Sequence, residues 1–189
     1  MFADKVFAAA HVINGFGKSA GLIQIEELGT IETPIILTNT FGVGPASQAL
    51  IGYMLEGNAD IGRESGTVNP VVCECNDGFL NDIRTFSITG EHVVKAIQSA
   101  SSDFEEGAVG AGRGMSCYQL KGGIGTASRI IVVEGHNFTL GALVLSNYGL
   151  IEQLRVRGKL IGPEICEIAP PQDLDGSIIV VIATDMPLT

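Results

Sequence analysis

An α+β fold, with helices packed on largely antiparallel sheets, is what this sequence predicts. Three observations carry that expectation. Short apolar runs of strand length recur between glycine-rich turns and outnumber the helical stretches. Only two segments space their apolar residues for a helix, and both are amphipathic. With 6% aromatics and no tryptophan, the core has to be built mainly from Ile, Val, Leu and Ala. The 189 residues are expected to form one domain spanning 1–189.

Taken in order, residues 6–13, VFAAAHVI, read as a buried strand that ends in the turn Asn14-Gly15. Residues 21–27, GLIQIEE, alternate apolar and polar and read as its hairpin partner. Residues 34–39 form a further short apolar strand. Over 44–55, Ala46, Ala49, Leu50, Tyr53 and Met54 fall on one helical face. Pro45 sits near the start of that helix, where proline is tolerated. Residues 71–75 make a strand ending in the turn 76–78. Thr89 is a candidate N-cap for a helix over 91–100, with Glu91 in its first turn. A polar loop, 101–107, leads to three glycine-punctuated strands at 116–120, 128–133 and 139–146. Tyr148-Gly149 marks a weak turn, 154–160 adds an edge strand, and a Pro-rich surface loop delivers the chain to Ser177. The β-branched run 178–182 that follows reads as a strongly buried strand.

Composition narrows the function classes. A net charge of -10, from 21 acidic and 11 basic residues, argues against nucleic acid, whose phosphates require a basic footprint. The acidity suits solubility, or attraction for cationic groups such as amines. No apolar stretch reaches the ~20 residues of a membrane span. The N-terminal stretch lacks a basic leader region, and it does not read as a signal peptide. The cysteines Cys73, Cys75, Cys117 and Cys166 have neither zinc spacing nor a neighbouring histidine. Reduced thiols in a cytoplasmic setting are the expectation.

Three glycine clusters, 42–44, 107–114 and 121–125, invite a phosphate-loop reading, but none has Walker or dinucleotide spacing. They are expected to form turns and close backbone contacts. His11, His92 and His136 show no metal pairing, and the sequence does not favour a Ser-His-Asp triad.

Two positions hold more chemistry. Glu74 interrupts an apolar strand between Cys73 and Cys75, and by alternation points away from both. Either it lies on an exposed face or bonds turn amides, or it is a carboxylate waiting for a cation. Ser177 opens the 178–182 run directly after Gly176. One reading is a loop serine capping a strand. The other is a nucleophile held rigidly at a strand mouth, with Gly176 admitting strained dihedrals or the close approach of another group. Cleavage between Gly176 and Ser177 would give Ser177 a free α-amine of reference pKa ~7.7–8.0, a base near neutrality.

The stretches GAVGAGRGMSCYQLKGGIGTASR, FTLGALVLSNYG and DGSIIVVIATDMPL together resemble the L-aminopeptidase/D-esterase family, which includes the β-peptidyl aminopeptidases. FAAAHVINGFG, IEELGTIETPIILTNT and CECNDGFLNDI fit the same family in the same order. The resemblance implies a four-layer α/β/β/α sandwich similar to N-terminal nucleophile hydrolases, and a precursor that cleaves itself at Gly176-Ser177. It implies division into an α part, 1–176, and a β part that starts at 177. Ser177 then becomes the nucleophile, Asn147 helps hold the oxyanion and Glu74 receives the substrate's amino group. Asn76 falls where some members carry an aromatic residue near the active site. Implied substrates are small peptides, amino-acid amides or esters, with no metal or cofactor, and members usually form homo-oligomers. The related autoprocessing acetyltransferases use threonine at the cleavage point, where this chain has Ser177. The family's sequence extends past both ends of this chain. The expectation is therefore a truncated chain with an incomplete core and exposed apolar surface. The alternative is a non-catalytic or truncated member acting only by assembly with another chain.

Overall fold

The computed structural model describes residues 1–166 and 176–187. The described chain mixes helices and strands, as an α+β fold requires, and divides into two compact units. One comprises Met1–Glu74 and Asp82–Phe104, the other Cys75–Asn81 and Glu105–Thr189.

In the first unit, β1 (Val6–Phe7) pairs antiparallel with β2 (Thr30–Ile31). Between them lies α1 (Leu22–Leu28), where alternation predicts a strand. The segment fits both periods, because Leu22, Ile25 and Leu28 also share a helical face. Glycines decide the outcome. Gly21 and Gly29 flank the helix at φ 87° and 66°, and the Gly29 N–H closes onto the Ile25 carbonyl, a left-handed C-cap. The expected strand over 6–13 is correspondingly short, with Phe7 and Ile13 largely exposed.

β3 (Ile35–Asn39) and β4 (Val71–Cys75) form a two-stranded sheet. α2 (Val43–Gly57) and α3 (Gly90–Gln98) lie in the same unit. The stripe Ala46, Leu50 and Met54 of α2 is buried in a core with Ile36, Ile61, Val68, Val72 and Val93. Each fully buried Leu or Val there contributes roughly 1.5–3 kcal/mol. α3 starts at the expected cap: Thr89 accepts from the backbone three residues on, and the Thr89 N–H donates to His92 Nδ1 at 3.1 Å. One histidine thereby finds a structural role.

The second unit is built on a three-stranded antiparallel sheet of β7 (Gly123–Val133), β8 (His136–Asn147) and β11 (Ser177–Thr184), ordered β11-β8-β7. Two short hairpins accompany it, β5 (Ser116–Cys117) with β6 (Leu120–Lys121), and β9 (Arg155–Val156) with β10 (Lys159–Leu160). The segments expected as single strands over 116–120 and 154–160 thus fold back on themselves. β7 (Gly123–Val133) and β8 (His136–Asn147) form the long hairpin. The start of the Pro-rich segment forms a short helix, α4 (Gly162–Cys166), while 167–175 lie outside the described residues.

β11 (Ser177–Thr184) runs antiparallel to β8, from Ser177 opposite Asn147 to Thr184 opposite Leu140. It is not the buried strand expected: Val180 is 46% and Ile182 65% exposed. Among the described residues it is an edge strand, paired only to β8. Ile130 and Val132 of β7 are also largely exposed.

Lys121 ties the turn before β5 to the strands. Its Nζ donates to the carbonyls of Gly112, Met115 and Gly122 at 2.9, 3.0 and 2.6 Å. Loss of solvation there lowers its pKa. This tether braces Ser116, whose amide orients the site described next.

Candidate active site

Register places the first two site residues together. Ser177 and Asn147 are directly opposed on β11 and β8, so their side chains share a sheet face. Asn147 is buried and fully engaged. Its Oδ1 accepts the Ser116 N–H at 2.9 Å, and its Nδ2 donates to the Asn76 carbonyl at 2.8 Å and to Ser177 Oγ at 3.1 Å. These partners fix the amide's orientation, because a backbone N–H needs the oxygen and a carbonyl needs the nitrogen.

A second donor reaches the same oxygen. The Asn76 N–H points at Ser177 Oγ at 3.4 Å, a long hydrogen bond. The Asn76 side chain turns back to accept the Gly78 N–H at 2.8 Å. What Asn76 brings to Ser177 is therefore its main chain, which no reading of side-chain chemistry reveals. With two donors aimed at Oγ, the hydroxyl proton is left for a base, and developing negative charge on oxygen is favoured.

Gly176 has a specific steric reason. A Cβ built on it lies 2.8 Å from the Tyr148 Cβ and 3.2 Å from the Tyr148 Cα. Its φ lies outside the left-handed range, so close approach is the requirement. Tyr148 itself pairs with Tyr118, ring centroids 5.5 Å apart and hydroxyls at 3.4 Å. That hydrogen bond, with burial and nearby charge, pushes the Tyr148 phenol up to about 12, so it stays protonated at neutral pH.

In the first unit, Glu74 is only 5% exposed, which removes the exposed-face reading. All five residues of β4 are buried, so alternation sends Glu74 into the protein whichever way it points. Its Oε1 accepts the Lys18 N–H at 2.9 Å, and its Oε2 accepts the Thr40 hydroxyl. Both donors are neutral, and neither was marked by any sequence signal. Among the described residues no cation is paired with this buried carboxylate. Buried carboxylates are ordinarily paired, and this one is left able to receive a cation. Its neighbour Cys73 is no competing nucleophile: burial is the main cause that raises its thiol pKa, with a smaller contribution from Glu74 and an opposing hydrogen bond from Ser19.

Among the described residues no group of three or more His, Cys, Asp or Glu is placed to hold a metal ion, and no helix is long and apolar enough to cross a membrane.

Comparison with known proteins places this arrangement. The sequence model of peptidase family S58 matches residues 1–189. The β-peptidyl aminopeptidase BapA of Sphingosinicella microcystinivorans is 39% identical over 199 residues, covering 97% of this chain and 49% of its own length. A protein of Pyrococcus horikoshii OT3 superposes with a TM-score of 0.94 at 56% identity, over 100% of this chain and 52% of its own. The L-aminopeptidase D-Ala-esterase/amidase of Ochrobactrum anthropi, a serine aminopeptidase described as a variant of the Ntn hydrolase fold, superposes with a TM-score of 0.86 at 39% identity, over 97% of this chain and 51% of its own. This chain thus spans about half the length of the relatives it matches. Its fold is α+β of the N-terminal nucleophile hydrolase type. A family match over every residue, with relatives this similar across nearly the whole chain, means that the protein belongs to peptidase family S58.

Proposed function

We propose that this chain carries the nucleophile of a self-processing serine aminopeptidase or amidase. The observation that carries the reading is Ser177 Oγ, which receives a hydrogen bond from Asn147 Nδ2 and one from the Asn76 N–H, directly after Gly176. In processing, Oγ attacks the Gly176 carbonyl carbon, the Gly176–Ser177 C–N bond breaks and the Ser177 nitrogen takes up a proton. Water then cleaves the resulting ester, freeing the Gly176 carboxylate and the Ser177 hydroxyl. The new α-amine is a base of reference pKa ~7.7–8.0 beside its own hydroxyl. In turnover the same hydroxyl attacks the carbonyl carbon of a substrate amide or ester, the C–N or C–O bond breaks and the amine or alcohol leaves with the hydroxyl proton. Water then hydrolyses the ester on Ser177, freeing the carboxylic acid and the hydroxyl. Asn147 Nδ2 and the Asn76 N–H are the donors for the oxyanion.

Glu74 supports the choice of substrate. A buried carboxylate with two neutral donors suits a protonated α-amine, hence small peptides, amino-acid amides or esters with a free amino terminus. Homo-oligomer formation belongs to the same reading, and the exposed Ile130, Val132, Val180 and Ile182 support it. The unbridged cysteines Cys73, Cys117 and Cys166 support a reducing, cytoplasmic location.

The test compares an amino-acid amide with its N-acetylated form. The free amine is expected to be hydrolysed and the acetylated form not. Glu74→Gln keeps the hydrogen-bonding shape but removes the charge, and KM for the free amine is expected to rise by roughly tenfold or more. Equal hydrolysis of the two substrates, or an unchanged KM in Glu74→Gln, contradicts the assignment of Glu74.

A further inference from the structure

Of the tight hairpin turns in the second unit, those at Glu134-Gly135 and Arg157-Gly158 place glycine in the left-handed conformation at the second position. The turn joining β5 to β6 does not. Tyr118 and Gln119 stand there at φ 51° and 60°, two consecutive side-chain-bearing residues in a conformation that Asn-Gly adopts readily. Backbone held in this way persists when surrounding contacts over-determine it, and such strain clusters at functional sites.

The contacts that hold it converge on one short segment. The Tyr118 N–H donates to the Tyr148 carbonyl at 2.8 Å, and Gln119 Oε1 accepts the Ile151 N–H at 3.2 Å. The Tyr118 ring lies on Gly149, where an added Cβ would fall 2.7 Å from the ring's Cδ1. The segment gripped in this way carries Tyr148, and Tyr148 fills the space into which a side chain at Gly176 would project.

We propose that the Tyr118-Gln119 turn is a positioning element for self-cleavage: it holds Tyr148 against Gly176 and so fixes the acyl side of the Gly176–Ser177 bond in front of Ser177 Oγ. This rests on the self-processing reading above. The turn touches no substrate. Its effect passes through Tyr148, and the ring of Tyr118 is the part that matters.

The test is the rate at which freshly purified chain acquires a new terminus at Ser177, followed by intact mass. Tyr118→Asn tolerates the left-handed backbone but deletes the ring, and cleavage is expected to slow by roughly tenfold or more, as small misplacements of reacting atoms do. Tyr118→Phe keeps the ring and is expected to cleave at close to the native rate, a rescue that separates positioning by the ring from any role of the phenol. Should Tyr118→Asn fail to fold, Gln119→Gly relaxes the turn while removing the grip on Ile151, and it too is expected to slow cleavage. Native chain that cleaves while Ser177→Ala does not upholds the underlying reading. If Tyr118→Asn, or Gln119→Gly in its place, then cleaves at the native rate, the positioning role alone is overturned. Equal loss in Tyr118→Phe and Tyr118→Asn also overturns it. Native chain that never cleaves removes both.

Discussion

Ser177→Ala is expected to abolish hydrolysis of amino-acid amides, with turnover falling by roughly 10⁶-fold, the loss seen when a catalytic serine is removed. Ser177 Oγ is the atom on which the Asn147 amide and the Asn76 N–H converge. The methyl group of alanine has no oxygen with which to attack a carbonyl carbon. The fold is expected to survive, because Ser177 is half-buried at the start of an edge strand whose pairing to β8 is made by main chain. Melting temperature close to native alongside lost turnover is the expected pair of results. Retained turnover would mean that the nucleophile lies elsewhere.

Asn147→Asp is expected to have the next largest effect. The substitution preserves shape and keeps an acceptor for the Ser116 N–H, but it turns the donor facing Ser177 Oγ and the Asn76 carbonyl into an acceptor. Losing one oxyanion donor costs about 10²–10³ in kcat. Negative charge aimed at the developing oxyanion increases the loss. Stability falls less, because the Asn76 carbonyl that loses its partner belongs to an exposed residue and can turn to water. The split is informative: kcat falls steeply in Asn147→Asp while KM for a small amide changes little, because Asn147 faces the reacting oxygen and not the amine. An unchanged kcat would remove Asn147 from the oxyanion site.

The contrast between Glu74 and Asn76 shows what the sequence could and could not reveal. A carboxylate in an all-apolar strand is visible as a charge out of place, and the structure buries it with two neutral donors. Asn76 was marked only by position, and its contribution to Ser177 comes through main-chain atoms that any residue but proline supplies. Asn147 has no local signal either. Its significance depends on strand register, which sets it opposite Ser177 across the β8–β11 ladder.

Local pattern read the α2 face and β4 well, because buried stripes and short β-branched runs report directly on burial. It failed at 21–27, where one apolar spacing fits strand and helix and the capping glycines decide. It also failed at 116–120, because Tyr118-Gln119 carries none of the usual residues of a tight turn. The burial expected for 178–182 was drawn from hydropathy, which reports what a strand can bury and not how many neighbours it has.

A denaturing intact-mass spectrum of the purified chain decides whether the Gly176–Ser177 bond is the site of self-cleavage. The full-length mass of 19.8 kDa is expected to give way to one fragment ending at Gly176 and another beginning at Ser177. A single uncleaved mass that persists on prolonged incubation would contradict it.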